Sequence, residues 1–583
     1  PRLSRIRKGL ELVKARLVDD TGSVTATFFN QSYMKDALRT GETYVVYGRV
    51  EGPPGRRQMT NPVCERADRA RFTGRILPIY PLTRGISNNL LAGLTLRCVE
   101  ECAGQVEETL PAGLRREHAL AAAEFACRNI HFPRDEEALE LARRRLIFEE
   151  LFCLACGMAL LRTRRTRAEG VPFSTPPVEE FLALLPFSLT AAQRRAMEEV
   201  AADTASGAPM NRLVQGDVGS GKTMVAAYGA WLAAKNGCQC ALMAPTELLA
   251  EQHFRSLALL LGRAGVRVGL LTGSVKGKAR KELYAALAAG EVDLVVGTHA
   301  LLSEGVAFSN LALAITDEQH RFGVAQRAAL AAKAGRTPHV LVMSATPIPR
   351  TLALIIYGDL EVSVIDELPP GRTPVETYVV GEDKRQRMYR FVRKLVGQGR
   401  QAYLVCPAVE EGEESPGEPG GEGLKAAVPY AEHLKSEVFP DLRVGLVHGK
   451  MKARDKDAAM TAFAAGELDV LVSTTVIEVG VDVPNAALMV VENADRFGLS
   501  QLHQLRGRVG RGKHQSYCVL MTSTHSAESR ERLRVLAKTA DGFRIAEEDL
   551  KLRGPGDFFG QRQHGLPQLK IADMTTDMEV LRQ

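Results

Sequence analysis

Between residues 10 and 64 apolar and polar positions alternate with a period of two. The stretches 10–18, 24–29 and 44–50 each read as a strand, and Asp20-Thr21-Gly22 and Thr40-Gly41 punctuate them. This rhythm predicts a small β-barrel of OB type, a fold that grips single-stranded nucleic acid with exposed aromatics. Phe28, Phe29 and Tyr33 are the stacking candidates, and because successive strand residues face opposite sides, one of Phe28 and Phe29 is expected in the core. From residue 88 to about 167 the period becomes helical, in Ala-rich and Glu/Arg-rich segments that predict a helical connector. Past residue 190 short apolar runs at 240–244, 268–271, 292–296, 311–316 and 340–343 alternate with helical stretches. The same rhythm restarts at 401–405, 443–447, 470–473 and 487–491. Continuous apolar runs mark strands buried on both faces, so two tandem α/β lobes with parallel sheets are expected. Residues 410–423, rich in Glu, Gly and Pro, read as a surface loop of the second lobe. Residues 545–552 form an amphipathic helical pattern, which Gly554-Pro555-Gly556 is expected to stop before a loop at 558–563.

Composition narrows the class. A chain of 583 residues is too long for one core. Its 75 Lys and Arg against 69 Asp and Glu leave a net charge of +6, too weak to argue nucleic-acid binding, so any basic surface must be local. Arg2, Arg5, Arg7 and Lys8, then Arg143 to Arg145, then Arg162, Arg164, Arg165 and Arg167 are candidates, although such runs are commonly solvated helix faces. The ten cysteines lack a second pair at zinc spacing and read as reduced core residues of a cytoplasmic protein, with Cys153 and Cys156 packed inward. The apolar run 151–161 is too short to span a bilayer. The chain opens on Pro1 and is expected to be a piece of a longer protein.

The chemistry starts at residues 213–223, a strand entering a glycine-rich turn closed by Lys222 and Thr223. Gly216, Gly219 and Gly221 let backbone N–H groups turn inward around a β-phosphate at a helix N-terminus. Lys222 would reach the β/γ-phosphates and the Thr223 hydroxyl would bind Mg²⁺. Asp317 and Glu318 follow a later buried strand, where Asp317 would hold the Mg²⁺ shell and Glu318 would orient and deprotonate the attacking water. The chain is therefore expected to hydrolyse ATP. Residues 344–350 end another strand, and 504–511 (Gln504-Leu-Arg-Gly-Arg-Val-Gly-Arg511) lie in the second lobe. Arg508 and Arg511 could reach a γ-phosphate only when the lobes close; the lesser alternative is that 506–511, Arg506 above all, form a phosphate-binding basic helix face.

Phe187 with Leu189 to Gln193, the turn at 216–223, residues 244–253, 297–301, 317–323 and 344–350 together resemble the superfamily 2 helicases. More narrowly the chain resembles the RecG family of ATP-dependent DNA helicases of replication-fork rescue. That resemblance extends to Phe29-Asn-Gln-Ser-Tyr33, to 475–484 and to 541–565. It implies two RecA-like lobes after an OB-fold wedge and a helical connector, closed by a C-terminal hairpin. The boundaries expected are 1–70, 71–167, 168–367, 368–535 and 536–583. It also implies that Phe187, Gln193, Asp217, Val218, Ser220, Gly480 and Asp482 join the nucleotide site, with Gln193 on the adenine edge, and that Gln504 acts with Arg508 and Arg511. Thr246, Gly273, Thr298, His448 and Thr475 would lie along the DNA backbone, and Gln319, His320, Ser344 and Thr346 would couple it to the ATP site. Phe29 and Tyr33 become the stacking pair. Arg553, Arg562 and Gln563 belong to a translocation hairpin shared with the transcription-repair coupling factor, although Gln561 stands where the family has Thr. The implied activity is 3′–5′ type, ATP- and Mg²⁺-dependent remodelling of forks and Holliday junctions by a cytoplasmic, nucleoid-associated bacterial monomer, with single-stranded DNA-binding protein as a partner. A transcription-repair translocase, an RNA helicase and a passive single-strand binder are the rivals.

Overall fold

The computed structural model describes residues 1–583 apart from 8–9, 54, 70–72, 84, 167–168, 318–323, 346–359, 370–372, 410–424, 476–482, 513, 525, 559–568, 574–575 and 583. The alternating front folds into strands β1 (Arg2–Arg7), β2 (Leu10–Asp19), β3 (Gly22–Phe29), β4 (Tyr44–Tyr47), β5 (Val50–Glu51), β6 (Gln58–Thr60) and β7 (Val63–Arg66). Five of them form a sheet in the order β1-β2-β3-β6-β5, and β4 pairs with β7. Residues pointing one way from β2 and β3, Val13, Ala15, Ala26 and Phe28, make the barrel core with Met34 and Leu38. Phe28 is fully buried, whereas Phe29 is 39% and Tyr33 64% exposed.

Helices α1 (Asn88–Cys102), α2 (Ala112–Glu117), α3 (Ala123–His131) and the 31-residue α4 (Glu136–Thr166) form the connector. Two expectations fail here. Arg145 is no surface cation: its side chain is fully buried, with Nη2 2.7 Å from Glu108 and Nη1 2.7 Å from Glu149. Cys153 and Cys156 are exposed, not packed inward, and Cys98 and Cys102 are exposed as well, so the cysteines are not all core residues. The buried stripe of α4 runs through Ala138, Ala142, Arg145, Phe148 and Leu151, and beyond Leu151 the helix outruns its partners, leaving even Leu160 66% exposed.

The first lobe carries β8 (Asn211–Gly216), β9 (Gln239–Met243), β10 (Val268–Leu271), β11 (Leu294–Gly297), β12 (Leu311–Thr316), β13 (His339–Ser344) and β14 (Glu361–Ile365). They pair in parallel in the order β10-β11-β9-β12-β13-β8-β14. Helix α5 (Ala191–Ala205) precedes β8, and α6 (Lys222–Lys235), α7 (Glu247–Leu261) and α8 (Gly277–Ala289) lie between successive strands in the chain. The second lobe repeats the plan with β15 (Glu376–Val380), β16 (Gln401–Val405), β17 (Val444–Val447), β18 (Val470–Ser473), β19 (Ala486–Val491) and β20 (Tyr517–Met521), in the order β15-β20-β19-β16-β18-β17, again parallel. Leu248 of α7 packs against the second lobe's core, so the lobes touch.

Helices α9 (Arg385–Gly397), α10 (Ala453–Ala464), α11 (Leu499–Arg506) and α12 (Ala527–Lys538) cover the second sheet and lead into α13 (Gly542–Phe558). Contrary to expectation, α13 runs through Gly554-Pro555-Gly556. A proline in a helix lacks one N–H and crowds the carbonyl four residues back, but the first half of α13 is held by Asp549, whose Oδ2 accepts from Ser500 N at 3.2 Å and Oγ at 2.9 Å. A short helix α14 (Met578–Arg582) follows. The loop read at 410–423 lies outside the described residues.

Candidate nucleotide and nucleic-acid site

All strands of each lobe run in parallel, so their C-terminal ends share one edge, the place where open α/β sheets bind ligands. In the first lobe that edge divides. Gly216 ends β8, Ser344 ends β13 and Asp317 follows β12, three neighbouring strands. Thr246, Gly273 and Thr298 follow β9, β10 and β11, the other three neighbours. With strands about 4.8 Å apart, Asp317 lies two positions, roughly 10 Å, from the glycine turn. In the second lobe His448 and Thr475 follow β17 and β18 at one side and α11 follows β19, but the nucleotide candidates Gly480 and Asp482 also follow β18 in the chain. Topology thus separates the two sets of candidates in the first lobe, which local sequence cannot do.

The turn itself is built by two left-handed glycines, Gly219 at φ +79° and Gly221 at φ +85°, a conformation that strains residues with a Cβ. A Cβ on Gly221 would also overlap the Gln193 amide. Lys222 Nζ donates to the carbonyls of Gly216 and Asp217, both at 2.8 Å, which fixes its ammonium at the mouth of the turn. Thr223 is the second residue of α6. Gln193 closes a capping box on α5 with Thr190, and its Nε2 donates to Ser220 O at 2.7 Å. The amide therefore braces the turn, and adenine reading would require it to exchange these partners. Phe187 stands at the rim, 54% exposed. Asp317 Oδ2 is 2.8 Å from His253 Nε2 on α7, a contact that orients the carboxylate.

Asp217 forms a junction between the lobes. Its Oδ1 lies 2.7 Å from His503 Nε2 on α11, and its Oδ2 accepts from Gly542 N, the first residue of α13, at 3.3 Å. His503 Nδ1 is 2.8 Å from Arg506 Nη2. A guanidinium only donates, so Nδ1 accepts and Nε2 carries the proton given to Asp217. Arg506, 5% exposed, also donates to the carbonyls of Leu536 (2.7 Å), Thr539 (2.9 Å) and Ala540 (3.3 Å) at the base of α13. Burial alone would raise the Asp217 carboxyl; the His503 hydrogen bond, the Gly542 N–H and Lys222 outweigh it and hold the group below its ordinary range. Val218 packs where a side chain on Gly507 would sit, so the segment carrying Arg508 abuts the turn. Arg508 and Gln504 are buried, and Arg511 Nε donates to Gly507 O at 3.2 Å.

Of the remaining candidates, Thr246 caps α7 by accepting from Leu249 N at 3.3 Å. Thr298 is 1% exposed, and a Cβ on Gly273 would meet the Glu247 carboxylate. Glu318, Gln319, His320, Thr346, Gly480, Asp482, Arg562 and Gln563 lie outside the described residues, as does the side chain of Arg553. Sequence reading missed His253 and His503. His253 ends the quoted run 244–253 and His503 stands one residue before the quoted run 504–511, and a histidine beside a phosphate-site carboxylate is the signal that marks them.

Residues 190–355 match the DEAD/DEAH box helicase family and 384–513 match the helicase conserved C-terminal domain. A two-lobed helicase core is therefore the class to which this fold and cleft belong. Residues 4–100 match the RecG wedge domain, and 539–583 match domain 3, C-terminal, of ATP-dependent DNA helicase RecG. The chain is 46% identical to the ATP-dependent DNA helicase RecG of Synechocystis over 98% of its length and 70% of that protein. It is 45% identical to the RecG of Bacillus subtilis over all of its length and 84% of that protein. A solved structure of RecG bound to a three-way DNA junction superposes with a TM-score of 0.74 at 40% identity, covering all of this chain and 77% of that one. The chain belongs to the RecG family of ATP-dependent DNA helicases.

Proposed function

We propose that this protein is an ATP-driven translocase that moves along duplex DNA and presses a branch point against its front barrel, reversing stalled forks and migrating Holliday junctions. The observation that carries the reading is the divided sheet edge: nucleotide candidates after β8 and β12 with the coupling candidate Ser344 ending β13 between them, nucleic-acid candidates after β9, β10 and β11, and Asp217 joining the turn to the second lobe. ATP would sit on the turn at 216–223, with Mg²⁺ held by the Thr223 hydroxyl and Asp317. Bound Mg²⁺ would neutralise charge developing on the phosphates. Arg508 and Arg511 would complete the site from the second lobe, with Gln504 beside them. Domain division follows the same logic, with 1–70 as wedge, 71–167 as connector, 168–367 and 368–535 as motor and 536–583 as hairpin and tail.

Phe29 and Tyr33 offer exposed rings on which bases at the split can stack, each worth about 1–3 kcal/mol. Thr246, Gly273, His448 and Thr475 would contact backbone and carry no sequence information, whereas Thr298, 1% exposed, would line this edge from beneath. Arg553, Arg562 and Gln563 move the duplex. A monomer working in the bacterial cytoplasm at the nucleoid, with single-stranded DNA-binding protein as a partner, fits the family. Among the described residues no helix is long and apolar enough to cross a membrane. ATP turnover measured with forked DNA, linear duplex, single strands and duplex RNA tests the reading. Strongest stimulation by forks is expected, and a Lys222→Ala protein that still reverses forks would overturn it.

A further inference from the structure

The stretch that follows residues 559–568 returns to the connector. Glu150, midway along α4, accepts three consecutive backbone N–H groups through its carboxylate: Lys570 at 2.6 Å, Ile571 at 3.0 Å and Ala572 at 2.9 Å. Three successive amides turned toward one anion form a nest, a geometry that captures a carboxylate without any base or side-chain partner. A second, independent contact lies beside it. Val580 of α14 packs against Leu110, Leu120 and Phe148, the last also on α4. Arg145, on the same stripe of α4 as Phe148, is gripped from within the connector by Glu108 and Glu149. The chain thus fixes residues on either side of 559–568 to different bodies. Before it, Gly542 N–H meets Asp217 of the motor; after it, residues 570–572 meet α4 of the connector, which lies in the chain between the barrel and the first lobe.

We infer that Glu150 is a positioning residue that ties the stretch following the translocation hairpin to the connector between wedge and motor, so that motor strokes are delivered against a barrel held at fixed distance. The proposal rests on the reading of 536–583 as the element that moves duplex. Without the tie, the motor still turns over ATP and still tracks linear duplex, but the barrel lags and the branch is not split. Coupling, not catalysis, is what Glu150 provides.

The test separates tracking from splitting. Displacement of a third strand from a linear triplex reads translocation, which needs no wedge, and reversal of a model fork reads translocation against the wedge. E150A and E150K are expected to lose fork reversal by about ten-fold or more, as misplacement of a remote support can cost. Triplex displacement and duplex-stimulated ATPase should stay within about two-fold of the parent. E150Q, which keeps one accepting oxygen, should fall between them, and it also serves if the stronger variants fold poorly. Fork reversal unchanged in E150K, or loss of both activities in equal proportion in E150Q, would overturn the proposal. A parent protein unable to displace the triplex would overturn the hairpin reading and this inference with it.

Discussion

The bond between Asp217 and His503 allows a quantitative test of how the lobes communicate. His503→Leu keeps much of the side-chain volume but removes both ring nitrogens, leaving Asp217 without its lobe 2 donor and Arg506 without one acceptor. Side chains of the pair are 7% and 20% exposed, so solvent compensates little. A hydrogen bond to a charged group contributes about 1.5–3 kcal/mol net. Holding α11 against the turn by that much less shifts the closed arrangement by roughly 10- to 150-fold, at about 1.4 kcal/mol per factor of ten. Fork-stimulated kcat/KM for ATP should fall accordingly. Asp217→Asn should cost a similar amount, and the double variant no more than the worse single one. A double-mutant cycle on kcat/KM reads the coupling directly. Additivity within about 0.5 kcal/mol would show that the contact carries no information between the lobes.

Four further outcomes follow from the same geometry. Phe28→Ala should destabilise the barrel by about 3–5 kcal/mol in denaturant unfolding, as core phenylalanine truncations do, while Phe29→Ala and Tyr33→Ala should leave stability nearly unchanged and each weaken fork binding by about 1–3 kcal/mol. Because the Asp217 carboxyl is held below its ordinary value, its contribution is complete above about pH 4 and lost as pH falls through the depressed value; Asp217→Asn should flatten the acid limb of stability measured by thermal unfolding. Native maleimide labelling should reach the exposed Cys98, Cys102, Cys153 and Cys156 and spare Cys240 and Cys518, the latter thiol pushed up to about 12 by burial. Fork affinity should fall steeply and log-linearly with salt and hardly change with sequence, as binding dominated by phosphates requires.

Much of the architecture was legible because period and burial are local properties. Strands β9 to β13 and β16 to β19 appear as apolar runs since parallel strands are covered on both faces. Strands β14, β15 and β20 escaped notice. β14 and β15 are edge strands with mixed exposure, so Glu361–Ile365 and Glu376–Val380 lack an unbroken apolar run. Helix α4 misled for the opposite reason: apolar residues past Leu151 suggest burial, yet whether a helix face is covered depends on partners distant in sequence. The glycine turn was readable from spacing alone. Its junction was not, because Asp217 and His503 are 286 residues apart and Asp217 and Gly542 are 325 apart. Glu150 offered no signal either, since its partners are backbone amides, which every residue but proline carries.

The account's central claim is that two lobes close on one nucleotide, with a cation from the second completing chemistry begun on the first. Arg508→Ala tests it most directly when binding of a fluorescent ATP analogue and fork-stimulated turnover are measured on the same protein. The account predicts nearly unchanged binding with turnover lowered by about 10³-fold, the scale of an arginine supplied to a γ-phosphate. Turnover equal to the parent would contradict it.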